Sequence, residues 1–171
     1  MNAVKLLKAD HQEVAALFEK FESLDDEEKG DTAEQICQML TVHAQIEEEL
    51  LYPAAREALT EDDADLVDEA TVEHASVKDL VSQIESADPA DDLFDAKVKV
   101  LGEYVTHHVK EEEGELFPKL EKTDLDLDVL GTELAERKQE LLNALADDAG
   151  NVPATPVKGN KKGGNRTSAN R

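Results

Sequence analysis

Apolar residues recur at steps of three and four along most of the chain, which is the spacing of one face of an α-helix. Five stretches share this period, and none alternates apolar and polar residues as a half-buried strand does. The chain is therefore predicted to be all-α. The predicted helices span about Ala3–Leu24, Thr32–Leu59, Asp63–Ala87, Asp92–Lys122 and, as a shorter fifth helix, Val129–Ala146.

Short polar segments separate these helices. The charged segment DDEEKGD is predicted to form the first turn, after which Asp31 or Thr32 can cap the second helix. Pro89 disfavours helix in the residue before it, and Asp91 or Asp92 can cap the helix that follows. Four long helices joined by short turns predict an up-down-up-down four-helix bundle, with the fifth helix packed outside it or across one end.

The composition changes after Gly150. Residues 151–171 contain Gly, Pro, Ser, Asn and five of the 18 basic residues but little to bury, so they are predicted to be a disordered basic tail. Residues 1–150 are predicted to form one domain. They hold the other 13 basic residues and all 41 acidic ones, a net charge of -28.

This charge and the hydropathy pattern narrow the function classes. With a formal charge of -23, no Trp and few aromatic residues, the chain is not expected to bind nucleic acid, because phosphate contacts need a basic surface. No apolar run approaches the roughly 18 residues of a membrane span, and the N-terminus does not resemble a signal peptide. A lone Cys37, interpreted as a small buried side chain, fits a reducing compartment, so a cytoplasmic location is expected.

Two segments of the chain repeat each other. The segment TVHAQIEEELLYP begins at residue 41 and THHVKEEEGELFP begins at residue 106; they align without gaps, matching His43 with His108 and Glu47 with Glu112. Upstream, DHQEVAALFEKFES aligns with EHASVKDLVSQIES, so that each half of the chain has one further histidine. The sequence is thus interpreted as a duplicated helical hairpin.

The repeated polar residues stand on apolar helix faces. Residues four apart lie on one face of a helix, and the neighbours of these histidines at helical spacing are largely apolar, so the side chains are expected to face the bundle interior. Buried imidazoles and carboxylates are costly unless something satisfies them together. Divalent iron, manganese or zinc would do so, and two carboxylates can bridge two ions. The predicted metal ligands are His11, His43, Glu47, His74, His108 and Glu112.

One histidine competes for a place in this set. His107 also has a glutamate four residues later, Glu111, but only His108 keeps the ten-residue offset to proline that the first repeat shows. Upstream of His107 at helical spacing stands Glu103, whereas His108 follows apolar residues. His107 is therefore interpreted as a peripheral residue.

Several nearby acids are interpreted as lying off the inward face. Glu69 and Glu73 precede His74 by five residues and by one, which rotates them about 100° or more from it. Glu48 and Glu113 each follow a predicted ligand by one residue and are expected to be solvated.

The two tyrosines each have two interpretations. Tyr52 lies nine residues after His43, a poor helical spacing, so it is either a core aromatic residue or, if the helix kinks near Pro53, a phenolate ligand to one ion. Tyr104 stands one turn before His108 and is either a core aromatic residue or a source of protons or electrons near the site.

The predicted ligands, together with the endings LLYP and ELFP, resemble the hemerythrin-like proteins, the HHE cation-binding domain family, in their bacterial forms. The resemblance covers about residues 3–122. It implies a four-helix bundle around a non-haem centre of two iron ions, and it implies a role for each residue. Glu47 and Glu112 would bridge the ions, His11 and His43 would bind one, and His74 and His108 would bind the other.

The chain departs from the oxygen-carrying hemerythrins at two positions. Those proteins have a further histidine where this chain has Ala70, and an Asp five residues after the histidine where this chain has Glu112 at four. No Glu precedes a His by three residues, as the ferritin-like pattern would need. The resemblance to the hemerythrin-like proteins, in their bacterial forms, implies binding of oxygen, peroxide or nitric oxide. Peroxidase- or catalase-like activity, nitric oxide reduction, and iron buffering or sensing are the alternatives.

Overall fold

The computed structural model describes residues 1–150, and these residues form helices joined by short turns without any strand. The all-α prediction is confirmed, while the predicted tail, 151–171, lies outside the described residues. Two π-helical segments, Glu47–Leu51 and Glu112–Leu116, interrupt the second and the fourth long helix. The α-helices are α1 (Ala3–Ser23), α2 (Asp26–Ile46), α3 (Tyr52–Ala58), α4 (Glu61–Ser86), α5 (Phe94–Glu111), α6 (Phe117–Leu120) and α7 (Leu127–Gly150).

The long helices pack as two hairpins, α1 against α2 and α4 against α5. Contacts of α2 with α4 and of α1 with α5 close these hairpins into the predicted four-helix bundle. The last helix, α7, has 24 residues and is longer than predicted. It lies along α1 and α2 on the outside of the bundle. No helix within residues 1–150 combines the length and the apolar character needed to cross a bilayer.

The second helix begins earlier than predicted. The segment interpreted as a turn belongs to α2, which starts at Asp26. Acidic residues fill its first turn, where they interact favourably with the positive end of the helix dipole. Gly30, which suggested a turn, instead lies against the turn between α4 and α5, where a β-carbon would meet Pro89 Cγ at 3.0 Å.

Each π segment starts at a predicted carboxylate ligand and ends just before an aromatic-proline pair. The backbone N–H of Tyr52 donates to the carbonyl of Glu47, and that of Phe117 donates to Glu112, each five residues back. The proline after each aromatic residue has no N–H, and the wider turn accommodates this loss. The kink expected at the first proline is therefore a π segment directly before it.

The interior consists of two apolar cores with a polar layer between them. One core surrounds Leu7, Ile46, Leu51 and Phe117, at the end of the bundle where the π segments lie. The other core surrounds Ile36, Phe21 and Phe94 at the opposite end of the bundle. The buried histidines and glutamates separate the two cores.

Candidate metal centre

All six predicted ligands lie in the polar layer and are buried. Glu47 is 0% exposed, Glu112 is 2% exposed, and the four histidines are 3–8% exposed. They come from all four bundle helices, because His11 and His74 lie on α1 and α4, and His43 and His108 lie on α2 and α5. The bundle thus brings together the residues that the repeat singled out.

The four histidines form two pairs. The Nε2 atoms of His11 and His43 are 3.1 Å apart, and those of His74 and His108 are 3.0 Å apart. Each pair joins the two helices of one hairpin, so the duplication produces two equivalent groups of nitrogen atoms. Each pair can therefore direct two nitrogen ligands at one ion.

The two carboxylates lie between the histidine pairs. Glu47 Oε1 is 3.1 Å from His43 Nε2, while Oε2 is 3.1 Å from His74 Nε2. Glu112 Oε2 is 3.4 Å from His11 Nε2, while Oε1 is 3.3 Å from His108 Nε2. Each carboxylate thus presents one oxygen to each pair, which is the arrangement of a carboxylate that bridges two metal ions.

Two of these oxygen atoms have no hydrogen-bond partner. Glu47 Oε1 and Glu112 Oε2 are fully buried and unsatisfied, and both face the pair formed by His11 and His43. A buried, unsatisfied carboxylate oxygen is unfavourable unless a cation balances it. The donor set of two imidazole nitrogens and two carboxylate oxygens suits a divalent iron, manganese or zinc ion.

On the other side of the centre the same carboxylates meet Tyr52. Its hydroxyl donates to Glu112 Oε1 at 2.9 Å, and it lies 3.4 Å from Glu47 Oε2 and 3.0 Å from His74 Nε2. The π segment makes this contact possible, because it stacks Tyr52 one turn beyond Glu47. The small side chain of Ala70 belongs to the same apolar core as the tyrosine ring.

Every histidine of the centre also contacts an acid through its outer ring nitrogen. The Nδ1 atoms of the four rings lie 2.6–3.2 Å from a carboxylate oxygen. Such a contact fixes the ring as the tautomer with its proton on Nδ1, which leaves the Nε2 lone pair directed at the centre. The pairs are His11 with Glu113, His43 with Asp10, His74 with Glu48, and His108 with Glu73.

The sequence interpretation missed these outer acids. Glu48 and Glu113 were expected to be solvated and Glu73 to lie off the inward face, but each contacts a histidine of a neighbouring helix. The repeat contained the relevant pattern, since an acid stands directly before each lone histidine and directly after each inward glutamate. Lys78 binds the other oxygen of Glu48 at 2.5 Å.

Helix α7 also contacts one of these outer acids. Lys138 on α7 donates to Asp10 Oδ1 at 2.6 Å, and Asp10 Oδ2 faces His43 Nδ1 at 3.2 Å. Asp10 is only 4% exposed. The ammonium group thus balances a buried carboxylate and ties α7 to the centre.

Charges in the cluster shift its protonation in the absence of metal. Burial acts to lower the pKa of His43, but the negative charge of Glu47 and the hydrogen bond to Asp10 outweigh it and raise the pKa to about 10. Burial likewise opposes the shift at His108, but its interactions with the negatively charged Glu112 and Glu47 outweigh burial and raise the pKa to about 11. A metal ion would therefore have to displace protons from these rings as it binds.

Two other predicted residues lie outside the cluster. The side chain of His107 is 64% exposed and contacts Glu73 and Glu111 on the surface, in agreement with its peripheral interpretation. Tyr104 is 46% exposed, so its interpretation as a core aromatic residue was wrong, while a role as a source of protons or electrons stays a prediction. It lies about 80° around α5 from the middle of the buried stripe, which places it at the edge of that face.

Comparisons with known proteins agree with this geometry. The family model described as "Hemerythrin HHE cation binding domain" matches residues 2–120. A crystal structure of a hemerythrin HHE cation binding domain-containing protein from Mycobacterium kansasii superposes with a TM-score of 0.75 at 23% identity, covering 88% of this chain and 93% of that one. This likeness shows a shared fold.

One curated relative is also similar in sequence. A protein from Nostoc sp. named "DNA nickase" is 35% identical over 118 residues, which are 68% of this chain and 33% of the nickase. The chain thus matches about a third of the length of that relative. The family model matches residues 2–120, which is more than half of the 171 residues, and this match decides the family. The chain belongs to the hemerythrin HHE cation-binding domain family.

Proposed function

We propose that this chain is a non-haem di-iron protein that binds oxygen, or the related ligands peroxide and nitric oxide, at a centre bridged by Glu47 and Glu112. The observation that carries the proposal is that each carboxylate presents one oxygen to each histidine pair. In this proposal His11 and His43 hold one iron, and His74 and His108 hold the other.

Iron is the proposed metal because the donor set accepts it and the resemblance to the hemerythrin-like proteins implies it. The cluster offers imidazole and carboxylate groups without a thiolate, a combination that suits iron, manganese and zinc. When bound, two irons supply one-electron redox chemistry and coordination positions for a small ligand. The chain's own residues orient the rings through the outer acids and exclude water with the apolar cores on both sides.

The space beside the histidines supports a small, uncharged ligand. A cavity of about 20 Å³ is lined by the four histidines and by apolar residues that include Val14, Leu40, Val77 and Val105. A volume of this size admits about one small molecule, and an apolar lining does not stabilise water. Oxygen and nitric oxide fit this description better than an anion does.

The metal content tests the assignment. Protein loaded with ferrous iron without oxygen should hold two irons per chain and should change its optical spectrum on exposure to oxygen, peroxide or nitric oxide. His43→Ala should lose most of the iron, whereas His107→Ala, a surface change one residue from His108, should retain it. Full occupancy in His43→Ala, or loss in His107→Ala, would contradict the site. An iron-loaded protein that binds none of the three ligands would contradict oxygen-related binding and leave iron buffering or sensing as the function.

A second candidate function is turnover of peroxide or nitric oxide, and Tyr52 is the observation that favours it. Burial and the charges of Glu47 and Glu112 raise the pKa of its hydroxyl well above the usual value, so the group keeps its proton inside the centre. A held proton beside the metal ligands is what reduction of a bound ligand requires.

Tyr52→Phe tests this candidate, with the surface change Tyr104→Phe as the matched control. If the hydroxyl supplies a proton, Tyr52→Phe should retain both irons but lose most consumption of peroxide or nitric oxide, and Tyr104→Phe should behave like the parent protein. Equal turnover in the two variants would remove Tyr52 from the reaction. An iron-to-phenolate absorption band in the parent protein would instead identify Tyr52 as a metal ligand.

We propose that this chain does not share the nickase activity that the name of the Nostoc relative describes. Residues 1–150 carry 13 basic residues against 41 acidic ones, and a surface with this balance repels the phosphate backbone. Supercoiled plasmid incubated with the protein and Mg²⁺ should stay supercoiled. Accumulation of the nicked circle would show that the activity is shared.

A further inference from the structure

An open groove lies between α1 and α5, next to the candidate metal centre. Its volume is about 1020 Å³. The apolar part of its lining comes from Val14 and Phe18 on α1 and from Val98, Gly102 and Val105 on α5. Helix α7 packs along α1 and α2, so it does not cover this side of the bundle. Within residues 1–150, nothing therefore covers the groove.

A thin wall separates the groove from the cavity beside the histidines. His11, Val14, Val105 and Val109 line both spaces. Val14 and Val105 are buried, with 4% and 7% of their surface exposed. The two valines, one from each helix, form part of the wall between the groove and the cavity beside the histidines.

The internal repeat shows that this opening is particular to one side of the bundle. The residue 65 positions before Val105 is Leu40, and the residue 65 positions before Gly102 is Cys37. The corresponding surface, between α2 and α4, has a smaller cavity that Cys37 lines and that none of the four histidines of the centre reaches. At both positions the side chain between α2 and α4, Leu40 or Cys37, is larger than its counterpart along the groove, Val105 or Gly102.

Gly102 keeps the groove wide. A β-carbon at this position would lie 3.2 Å from Phe18 Cδ1, so any side chain would have to displace the ring or narrow the opening. The glycine is half-buried and lies one turn from Val105 on the same helix. On α5, Gly102 therefore keeps the groove wide, and Val105, one turn further along, forms part of its thin inner wall.

We propose that uncharged diatomic molecules reach the centre through this groove and pass between Val14 and Val105, which limit the rate of entry. An apolar wall one side chain thick admits such a molecule when the valines fluctuate, while it excludes hydrated anions. The proposal rests on the proposed function, because it concerns how the ligand of that centre arrives.

Xenon tests the route without iron. The full chain, kept free of iron so that its methyl signals stay sharp, would be placed under xenon pressure and observed by methyl NMR. The signals of Val14, Val105 and Val109 should shift, and those of Val67, a buried valine that lines neither space, should not. Shifts confined to valines away from the groove would overturn the route.

Ligand kinetics test the wall itself, with nitric oxide as the probe and stopped-flow absorbance of the di-iron protein as the readout. Val105→Leu introduces the residue of the other repeat and adds one methylene group to the wall. It should slow association about tenfold, with unchanged iron content. Val81→Leu, at a buried position that lines neither the cavity nor the groove, should leave the association rate unchanged.

A second variant covers the case in which the extra methylene group prevents folding. Gly102→Ala narrows the groove against Phe18 without changing the inner wall, and it should also slow association. Equal slowing by Val105→Leu and Val81→Leu, or no slowing by Val105→Leu and Gly102→Ala, would overturn the route. Parent protein that takes up iron but no nitric oxide would contradict the proposed function, and the xenon shifts would then decide the route alone.

Discussion

Replacing Glu112 with Gln separates metal binding from packing, because the amide keeps the shape of the side chain and removes its charge. Glu112 is 2% exposed, and its oxygens lie 3.4 Å from His11 Nε2 and 3.3 Å from His108 Nε2. An amide has only one good ligand oxygen, and that oxygen is neutral. Since the carboxylate faces both histidine pairs, we expect affinity to fall at both ions.

The size of the effect follows from linkage between binding and folding. Loss of an outer hydrogen-bonding partner costs up to about 100-fold in metal affinity, so about 100-fold per ion is a modest figure for a direct ligand. With metal in excess, a 100-fold loss removes about 2.7 kcal/mol of stability for each ion, or about 5 kcal/mol for two. A domain of this size loses about 2–4 °C per kcal/mol, so the Tm of the metal-loaded variant should fall by about 10–20 °C.

The metal-free protein should respond differently. There Glu112 is a second buried carboxylate beside Glu47, and its neutralisation relieves their repulsion while it weakens the attraction between Glu112 and the rings of His11 and His108. These contributions oppose each other, so we expect a much smaller change in Tm.

Differential scanning calorimetry with and without ferrous iron, in the absence of oxygen, measures both states. Glu115→Gln, an exposed change in the same π segment, serves as the control and should keep the full metal-dependent rise in Tm. An equal fall in Tm in the metal-free and the metal-loaded states of Glu112→Gln would show that the carboxylate is only structural. A rise equal to that of the parent protein would show that it does not bind metal.

Three further predictions concern the outer acids, the cysteine and the attachment of α7. Glu73→Gln removes the charge 2.6 Å from a ring nitrogen and should weaken metal binding by about 10- to 100-fold in a chelator competition; the exposed Glu69→Gln on the same helix should bind as tightly as the parent. Burial raises the pKa of Cys37 to about 12, so the folded protein should not react with Ellman's reagent at pH 8 until urea unfolds it, and prompt labelling would contradict the burial. A β-carbon at Gly131 would lie 2.6 Å from a backbone nitrogen of the N-terminal segment, so Gly131→Ala should cost about 1–3 kcal/mol in urea unfolding, whereas Gly114→Ala, which meets no neighbour, should cost none.

Helix positions were largely predictable from periodicity, and the errors have identifiable causes. The charged segment around Gly30 looked like a turn, but acids in a first helical turn are favourable and the glycine packs against Pro89 of another turn. Tyr104 was placed inward because it precedes His108 by four residues. Four residues exceed one turn by about 40°, which was enough to put it at the edge of the buried face.

The surroundings of the histidines were less predictable. Glu48 and Glu113 stand one residue beyond the inward glutamates, about 100° around the helix, a position that looks solvent-exposed on an isolated helix. In the bundle that position borders the neighbouring helix, where each acid meets a histidine ring. Tyr52 lies in the centre for a different reason. The wider turn of the π segment places Tyr52, five residues after Glu47, on the same side of the helix as Glu47.

The sequence by itself determined the duplicated hairpin and the six polar residues that face the interior, because a helix with a fixed period decides which side chains share a face. Only the tertiary structure decided what those residues meet. His11 contacts Glu113 across 102 residues, and Val14 on α1 lines the same groove as Val105 on α5. Such contacts depend on which helices become neighbours and how closely they pack, and the period of a single helix holds no information about its neighbours.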